Sequence, residues 1–248
     1  MASSAVWKIP FILANSACLR VAMTPPTPYA TAASKERARY EREHATRDLI
    51  PMPLWWGPPT FRTTGHAING LEILAIILSA YPSIVEYLAF GGLVKSANVA
   101  RDGSNIYISA TFVIGLVLSV FGAWIRASCY RHMGRHFTFE LTIQDEHKLI
   151  THGPYAIVRH PSYFGLFTYY FGTTLCQFGP GSFWDVAGLW GTLAGKLAGV
   201  FYIGYMIWVA VALFARAAKE DDVLRREFKD QWHSWAQKTP YRLLPFIY

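Results

Sequence analysis

Residues 193–214 read LAGKLAGVFYIGYMIWVAVALF. Lys196 is the single charge in these 22 residues, and an apolar run of that length crosses the roughly 30 Å hydrocarbon core of a bilayer as a helix. Working outward, comparable windows lie near 4–23, 66–90, 105–127 and 161–178. The spacing therefore predicts an all-α polytopic membrane protein with about five transmembrane helices. Composition agrees: of 248 residues, 52% are hydrophobic and 16% charged, against about a quarter charged in soluble domains. Five spans leave little chain for a separate soluble domain.

The first window, Ala5 to Met23, is interrupted by Lys8, Pro10, Asn15 and Arg20. Two readings stand, a retained span and a leader cut near Ala14–Ala17, and retention is the expected one. Proline cannot continue the helical ladder, so the run Pro25-Pro26-Thr27-Pro28 ends it. The net charge of +7 is concentrated in connections. Lys35, Arg37, Arg39, Arg42, Arg47 and Arg62 lie in the first, with a charged helix expected over Ser34–Asp48; Arg126–Arg159 and the tail from Arg216 are the other two. Clustered loop charge is the positive-inside pattern, which places these segments in the cytosol and argues against a nucleic-acid partner. Cys18, Cys129 and Cys176 form no CxxC pair and read as packing residues. Trp55, Trp56, Trp184 and Trp232 stand at window ends, as interfacial belts require. Glu72 and Glu86 lie about 40° apart around one helix axis, and an ionisable group at membrane depth is a candidate for function.

Chemistry concentrates in Met133-Gly134-Arg135-His136-Phe137-Thr138 and in the stretch His147 to Gly165. Pro161 suits the first turn of a helix, which puts Arg159 and His160 at its entrance. There Arg159 either helps the helix N-terminus hold an anionic group or snorkels beside a capped helix. Arg216 and Glu220, four apart, share a face just past the last apolar run; they read as an ordinary interfacial ion pair or as a substrate and cofactor pair. Leu224, Phe228, Trp232 and Trp235 recur at helical spacing, which predicts a C-terminal amphipathic interfacial helix.

These residues together resemble the isoprenylcysteine carboxyl methyltransferase family, whose pattern is RHPxYxG, a hydrophobic hairpin, and then two acidic residues before a leucine. Here the pattern reads Arg159-His160-Pro161-Ser162-Tyr163-Phe164-Gly165, then Glu220-Asp221 with Leu224. The likeness extends upstream through Gly134, Phe137, Leu149, Gly153 and Tyr155, and downstream through Phe228, Trp232, Pro240, Pro245 and Phe246. Lys8-Ile9-Pro10 with Thr24-Pro25-Pro26 is similar to fungal members. The chain departs from the pattern at Phe139, where members acting on prenylcysteine usually carry histidine, at Asp221 in place of a second Glu, and in a longer Gly179–Lys196 stretch.

The resemblance implies a carboxyl O-methyltransferase of CAAX processing, acting in the endoplasmic reticulum membrane from a cytosol-facing site on the prenylcysteine of prenylated proteins or on a related lipophilic acid. It implies S-adenosylmethionine held by His147, Lys148, Leu149, Ile150, Tyr155, His160, Pro161, Ser162, Tyr163 and Glu220. Arg216 would face the substrate carboxylate, and Arg216 and Glu220 would be the catalytic pair. It also divides one integrated domain into N-terminal spans with a basic loop, 1–130, and a cofactor-binding region, 131–248. Other readings compete: an NADPH-dependent sterol-type reductase with a similar helical bundle, a non-enzymatic lipid-binding membrane protein, and a metal enzyme drawing on His132, His136, His147, His152 and His160. The metal reading is weak, because one HxxxH broken by Gly134 is too little for a di-iron site, so no metal is expected. No GxGxxG loop follows any predicted strand, and Gly179-Pro180-Gly181 reads as a turn.

Overall fold

A computed structural model of the chain describes residues 4–24, 53–81, 105–134, 137 and 148–247. Among these residues all regular structure is helical. A 3-10 turn, Ser4–Lys8, leads into α1 (Ile9–Met23); α2 (Pro53–Ala80) and α3 (Ala110–Met133) follow. A second 3-10 turn, Gly153–Ala156, precedes α4 (Pro161–Phe178). The short α5 (Phe183–Val186) and a turn at Leu189–Gly191 lead to α6, Leu193–Lys238. The predicted helix over Ser34–Asp48, Glu86 and the charges Lys95, Arg101 and Asp102 lie outside the described residues, as do the side chains of Trp55 and Trp56.

Among the described residues, four helices are long and apolar enough to cross a membrane: Ala5–Met23, Pro59–Ala80, Ala110–Met133 and Leu193–Lys238. The chain is an all-α polytopic membrane protein, as expected, and four of the five expected windows fall in helices that meet this length and hydropathy among the described residues. The fifth window does form a helix, the 18-residue α4, but its Thr, Tyr, Gly and Gln residues dilute its hydropathy. Several of those groups are bound to protein. Asn15 Nδ2 donates to Thr173 Oγ1, and Gln177 Nε2 donates to Gly65 O and Asn69 Oδ1. Along α6, Leu193, Leu197, Val200, Phe201, Ile207 and Val211 are exposed; such a surface is stable where hydrocarbon covers it.

The packing divides into two compact units. One comprises Met1–Arg20, Arg62–Phe121 and Thr168–Met206. Its apolar centre gathers Ala5, Ile12, Ala75, Ile76, Ile106, Phe112 and Cys176, and α3 and α4 pack so closely that a Cβ on Gly115 or Gly172 would strike the other helix's backbone, as small residues permit in membranes. Gly181, with φ +77, makes the expected turn after α4 in a conformation that glycine tolerates best. Trp184 and Trp190, half-buried, pack around Phe178. Two of the three free cysteines, Cys129 and Cys176, are buried, as packing residues should be.

Lys8 and Glu72 explain each other in this unit. Their Nζ and Oε1 atoms stand 2.7 Å apart, with side-chain exposures of 0% and 4%. Lys8 also donates to Gly181 O at 2.9 Å and lies over the Phe112 ring, while Glu72 Oε2 accepts from the Phe183 N–H. Glu72 is thus engaged in structure, and the lysine that seemed to interrupt the first span neutralises it. Removing one member leaves a buried charge uncompensated. Lys8→Met or Glu72→Gln alone should cost about 3–5 kcal/mol, whereas replacing both by Met should restore most of the loss. Denaturation in detergent tests this, and a double variant as weak as the two single losses added together would refute the coupling.

Candidate functional site

The second unit comprises Val21–Phe61, Gly122–Phe167 and Ile207–Tyr248. Its apolar support is a cluster of Ile125, Cys129, Phe137, Tyr155 and Trp235, with Leu149, Ile150, Phe164, Leu224 and Trp232 packed against it. Trp235 Nε1 donates to Tyr155 O at 3.0 Å. The apolar stripe expected to lie on the membrane surface therefore packs on the protein's own core. The stretch past the last apolar run is helical to Lys238, with a kink at Lys229 (φ 43, ψ −113) that separates two helices.

On this support, α4 begins at Pro161 as expected, and the residues just before it meet the polar stretch of α6. Tyr163 Oη donates to Glu220 Oε1 at 2.6 Å, and Arg216 Nε donates to the same oxygen at 3.0 Å. His160 Nδ1 lies 3.2 Å from Glu220 Oε2, and its Nε2 lies 3.0 Å from Asp221 Oδ1. Residues 57 to 61 positions apart in sequence thus form one cluster. Arg216 is 3% exposed, so the pair with Glu220 is not the solvated interfacial bridge its spacing allowed.

Arg159 is also buried, and it is already engaged. Its Nε donates to Asp221 Oδ2 at 3.1 Å, and its Nη1 donates to the carbonyls of Thr239 and Pro240. That engagement overturns both sequence readings, a ready anion holder and a snorkelling side chain. At the opposite side of the helix entrance, Arg126 Nη1 donates to Ser162 O and Oγ, and its Nε donates to Tyr130 Oη. Arg126 and Arg242, which binds Asp221 Oδ2 at 2.9 Å, had no role by sequence, and Asp221 entered only as the second acidic residue of the pattern. Arg126 left a signal, since it is the one charge in the window 105–127.

Leu149, Ile150 and Tyr155 belong to the apolar support, Pro161 and Ser162 are buried in the first turn of α4, and Lys148 is exposed. His147 and His136 lie outside the described residues. The His132 and His152 rings approach to 5.5 Å, and His132 Nδ1 bonds Ser128 O. Among the described residues no group of three His, Cys, Asp or Glu side chains is placed to hold a metal.

The fold and the cluster define a polytopic membrane protein whose charged site is assembled at a helix entrance from two distant sequence motifs. Residues 113–226 match the sequence model of the isoprenylcysteine carboxyl methyltransferase family. The chain is 33% identical over 136 residues to a probable protein-S-isoprenylcysteine O-methyltransferase of Oryza sativa subsp. indica, covering 54% of this chain and 61% of that protein. It is 27% identical over 176 residues to protein-S-isoprenylcysteine O-methyltransferase B of Arabidopsis thaliana, covering 70% and 73%. A Delta(14)-sterol reductase of Schizosaccharomyces pombe is 27% identical over 101 residues, covering 41% of this chain and 20% of the reductase. The chain thus spans 61% of the length of the rice relative it matches.

The charge state of His160 follows from geometry. A neutral imidazole carries one donor and one acceptor nitrogen, and here both nitrogens face carboxylates. Burial alone lowers the imidazole's pKa, but hydrogen bonds to Asp221 and Glu220 and the two negative charges outweigh it and raise it to about 9. A raised folded value contributes stability that is complete below the unfolded value near 6.5 and is lost as pH rises through the folded one. The melting temperature should therefore fall between about pH 6.5 and about pH 9, and His160→Gln should flatten that part of the curve. A wild-type profile in the variant would show that another group titrates.

Proposed function

We propose that this chain is an S-adenosylmethionine-dependent carboxyl O-methyltransferase that modifies the C-terminal prenylcysteine of prenylated proteins or a related lipophilic acid. It works in the endoplasmic reticulum membrane with its site toward the cytosol. The observation that carries this reading is the meeting of Tyr163, His160 and Arg216 on the Glu220 carboxylate. Two motifs separated by a hydrophobic hairpin supply one charged centre beside apolar helices.

The donor set fits the group. Glu220 offers a carboxylate to a cationic cofactor, Tyr155 and Tyr163 offer aromatic surface, and Leu149 and Ile150 offer apolar cover. His147, Lys148, His160, Pro161 and Ser162 complete the proposed cradle. When bound, S-adenosylmethionine supplies a methyl group on a sulfonium sulfur. The acceptor is a carboxylate already ionised at neutral pH, with a reference pKa near 3.5. One oxygen gains the carbon–oxygen bond as the carbon–sulfur bond breaks, so no general base is needed and no proton moves.

What the chain contributes is alignment and dryness. Arg216 orients the substrate carboxylate, and Glu220 balances the positive cofactor. Arg159, His160, Arg216 and Arg242 give four cationic groups against the two carboxylates of Glu220 and Asp221, an excess that suits an incoming acid. Exposed apolar residues on α6 give a prenyl chain a route from the bilayer. The family-model match over residues 113–226 and the names of the plant relatives support the reaction class.

The reductase match favours one rival, and calorimetry separates them. Purified protein should bind S-adenosylhomocysteine and not NADPH; binding of NADPH alone would defeat the proposal. Glu220→Ala should weaken S-adenosylhomocysteine by about tenfold or more, the value of a lost charged hydrogen bond. Arg216→Ala should hold the cofactor while methyl transfer to a farnesylcysteine analogue falls by about a hundredfold. Full activity in both variants would make these role assignments wrong.

A further inference from the structure

Asp221 is 3% exposed in its side chain and is met by three cationic side chains from two segments. Its Oδ1 faces His160 Nε2 at 3.0 Å, and its Oδ2 accepts from Arg159 Nε at 3.1 Å and Arg242 Nε at 2.9 Å. The last of these belongs to the chain that leaves α6. Residues 239–242 run beside the entrance of α4: the Arg159 N–H donates to Tyr241 O at 2.9 Å and the His160 N–H to Arg242 O at 2.8 Å. Thr239 Oγ1 donates to Ala156 O, and Leu243, just beyond, is 1% exposed. This strap accounts for the N–H groups of Arg159 and His160 just before α4, which would otherwise need partners.

We propose that Asp221 is a positioning residue: it fastens the C-terminal strap, 239–242, onto the Arg159–His160 turn and so fixes how His160 meets Glu220. The strap and the fastening stand on geometry alone; only their effect on cofactor affinity rests on the methyl-transfer reading. The groups facing His160 are Glu220 at Nδ1, Asp221 at Nε2 and the Tyr163 ring stacked at 5.8 Å. Arg159, Arg216 and Arg242 lie one carboxylate further out, and Arg126 binds the neighbouring Ser162. An asparagine at 221 would turn an amide donor toward partners that are all donors. It would also leave His160 with a single carboxylate.

The test uses the full chain in detergent micelles. Histidine NMR, with His160→Gln to assign the resonance, reads the His160 titration midpoint; trypsin cleavage at the exposed Lys238 reads strap release. Asp221→Asn should lower the midpoint by more than about one unit, speed cleavage, and weaken S-adenosylhomocysteine about tenfold. Arg242→Ala should speed cleavage without lowering the midpoint, and Asp221→Glu should keep the midpoint near wild type because the charge remains. A folded Asp221→Asn protein with unchanged midpoint and cleavage overturns the proposal. Should that variant not fold, unchanged cleavage in Arg242→Ala overturns it instead. If the wild type binds no S-adenosylhomocysteine while the midpoint and cleavage respond as described, the methyl-transfer reading fails and the strap stands.

Discussion

A histidine with a carboxylate at each ring nitrogen can satisfy both only by carrying two protons, and the second unit is organised around that constraint. Glu220 and Asp221 are adjacent on one helix, about 100° apart around its axis, so their side chains diverge. His160, at the entrance of α4, meets both. Two carboxylates so close, one buried and one partly so, would repel and desolvate at a cost, and the imidazolium between them removes the repulsion. Arg216, Arg159 and Arg242 complete the neutralisation from the outside. The geometry is thus over-determined: each charged group has at least one partner of opposite sign within 3.2 Å, so few alternative arrangements compete.

The same rule governs the other unit with different residues. Hydrocarbon offers no hydrogen bonds, so polar groups on spanning helices must find partners within the protein. Lys8 and Glu72 do so as an ion pair, and Asn15, Ser16, Asn69, Thr173 and Gln177 form a run of hydrogen bonds. These contacts account for residues that a hydropathy profile treats as blemishes. Lys8, at the end of the turn that leads into α1, lowers the apolar score of the first window and at the same time ties that window to Glu72.

Helices were legible where local composition decides them. The window 193–214 became part of α6, the proline at 161 began α4, and Arg216 and Glu220 met because a helix places residues four apart on one face. The meeting of Tyr163 with Glu220 was legible only through motif resemblance, because no periodicity links positions 57 apart. Pairings such as Lys8 with Glu72 or Arg242 with Asp221 were hidden for the same reason. Arg159 misled: its place beside a helix N-terminus suggested an anion holder, but Asp221 and two backbone carbonyls engage it first. The stripe of Leu224, Trp232 and Trp235 misled by ambiguity, since amphipathic spacing is the same whether the apolar side meets lipid or protein. Apolar dilution by Thr, Tyr and Gln made α4 read as a span by length while leaving it short in hydropathy.

The charged groups of the site are already paired with one another, and this bears on what such a centre can do. A site that must move protons keeps a group with an open acceptor or a labile proton near neutral pH. Here the one histidine is held doubly protonated and its carboxylate neighbours already accept its hydrogen bonds, a poor arrangement for acid–base work and a good one for holding fixed charges. Fixed, prepaired dipoles and charges stabilise a reaction that brings opposite charges together without reorganising the surroundings. Transfer of a methyl group from a cationic donor to an ionised acid is such a reaction, because it needs orientation and exclusion of water and no proton shuttle. Under the proposed methyl-transfer reading, the architecture of the cluster, more than any single residue in it, would supply that fixed environment.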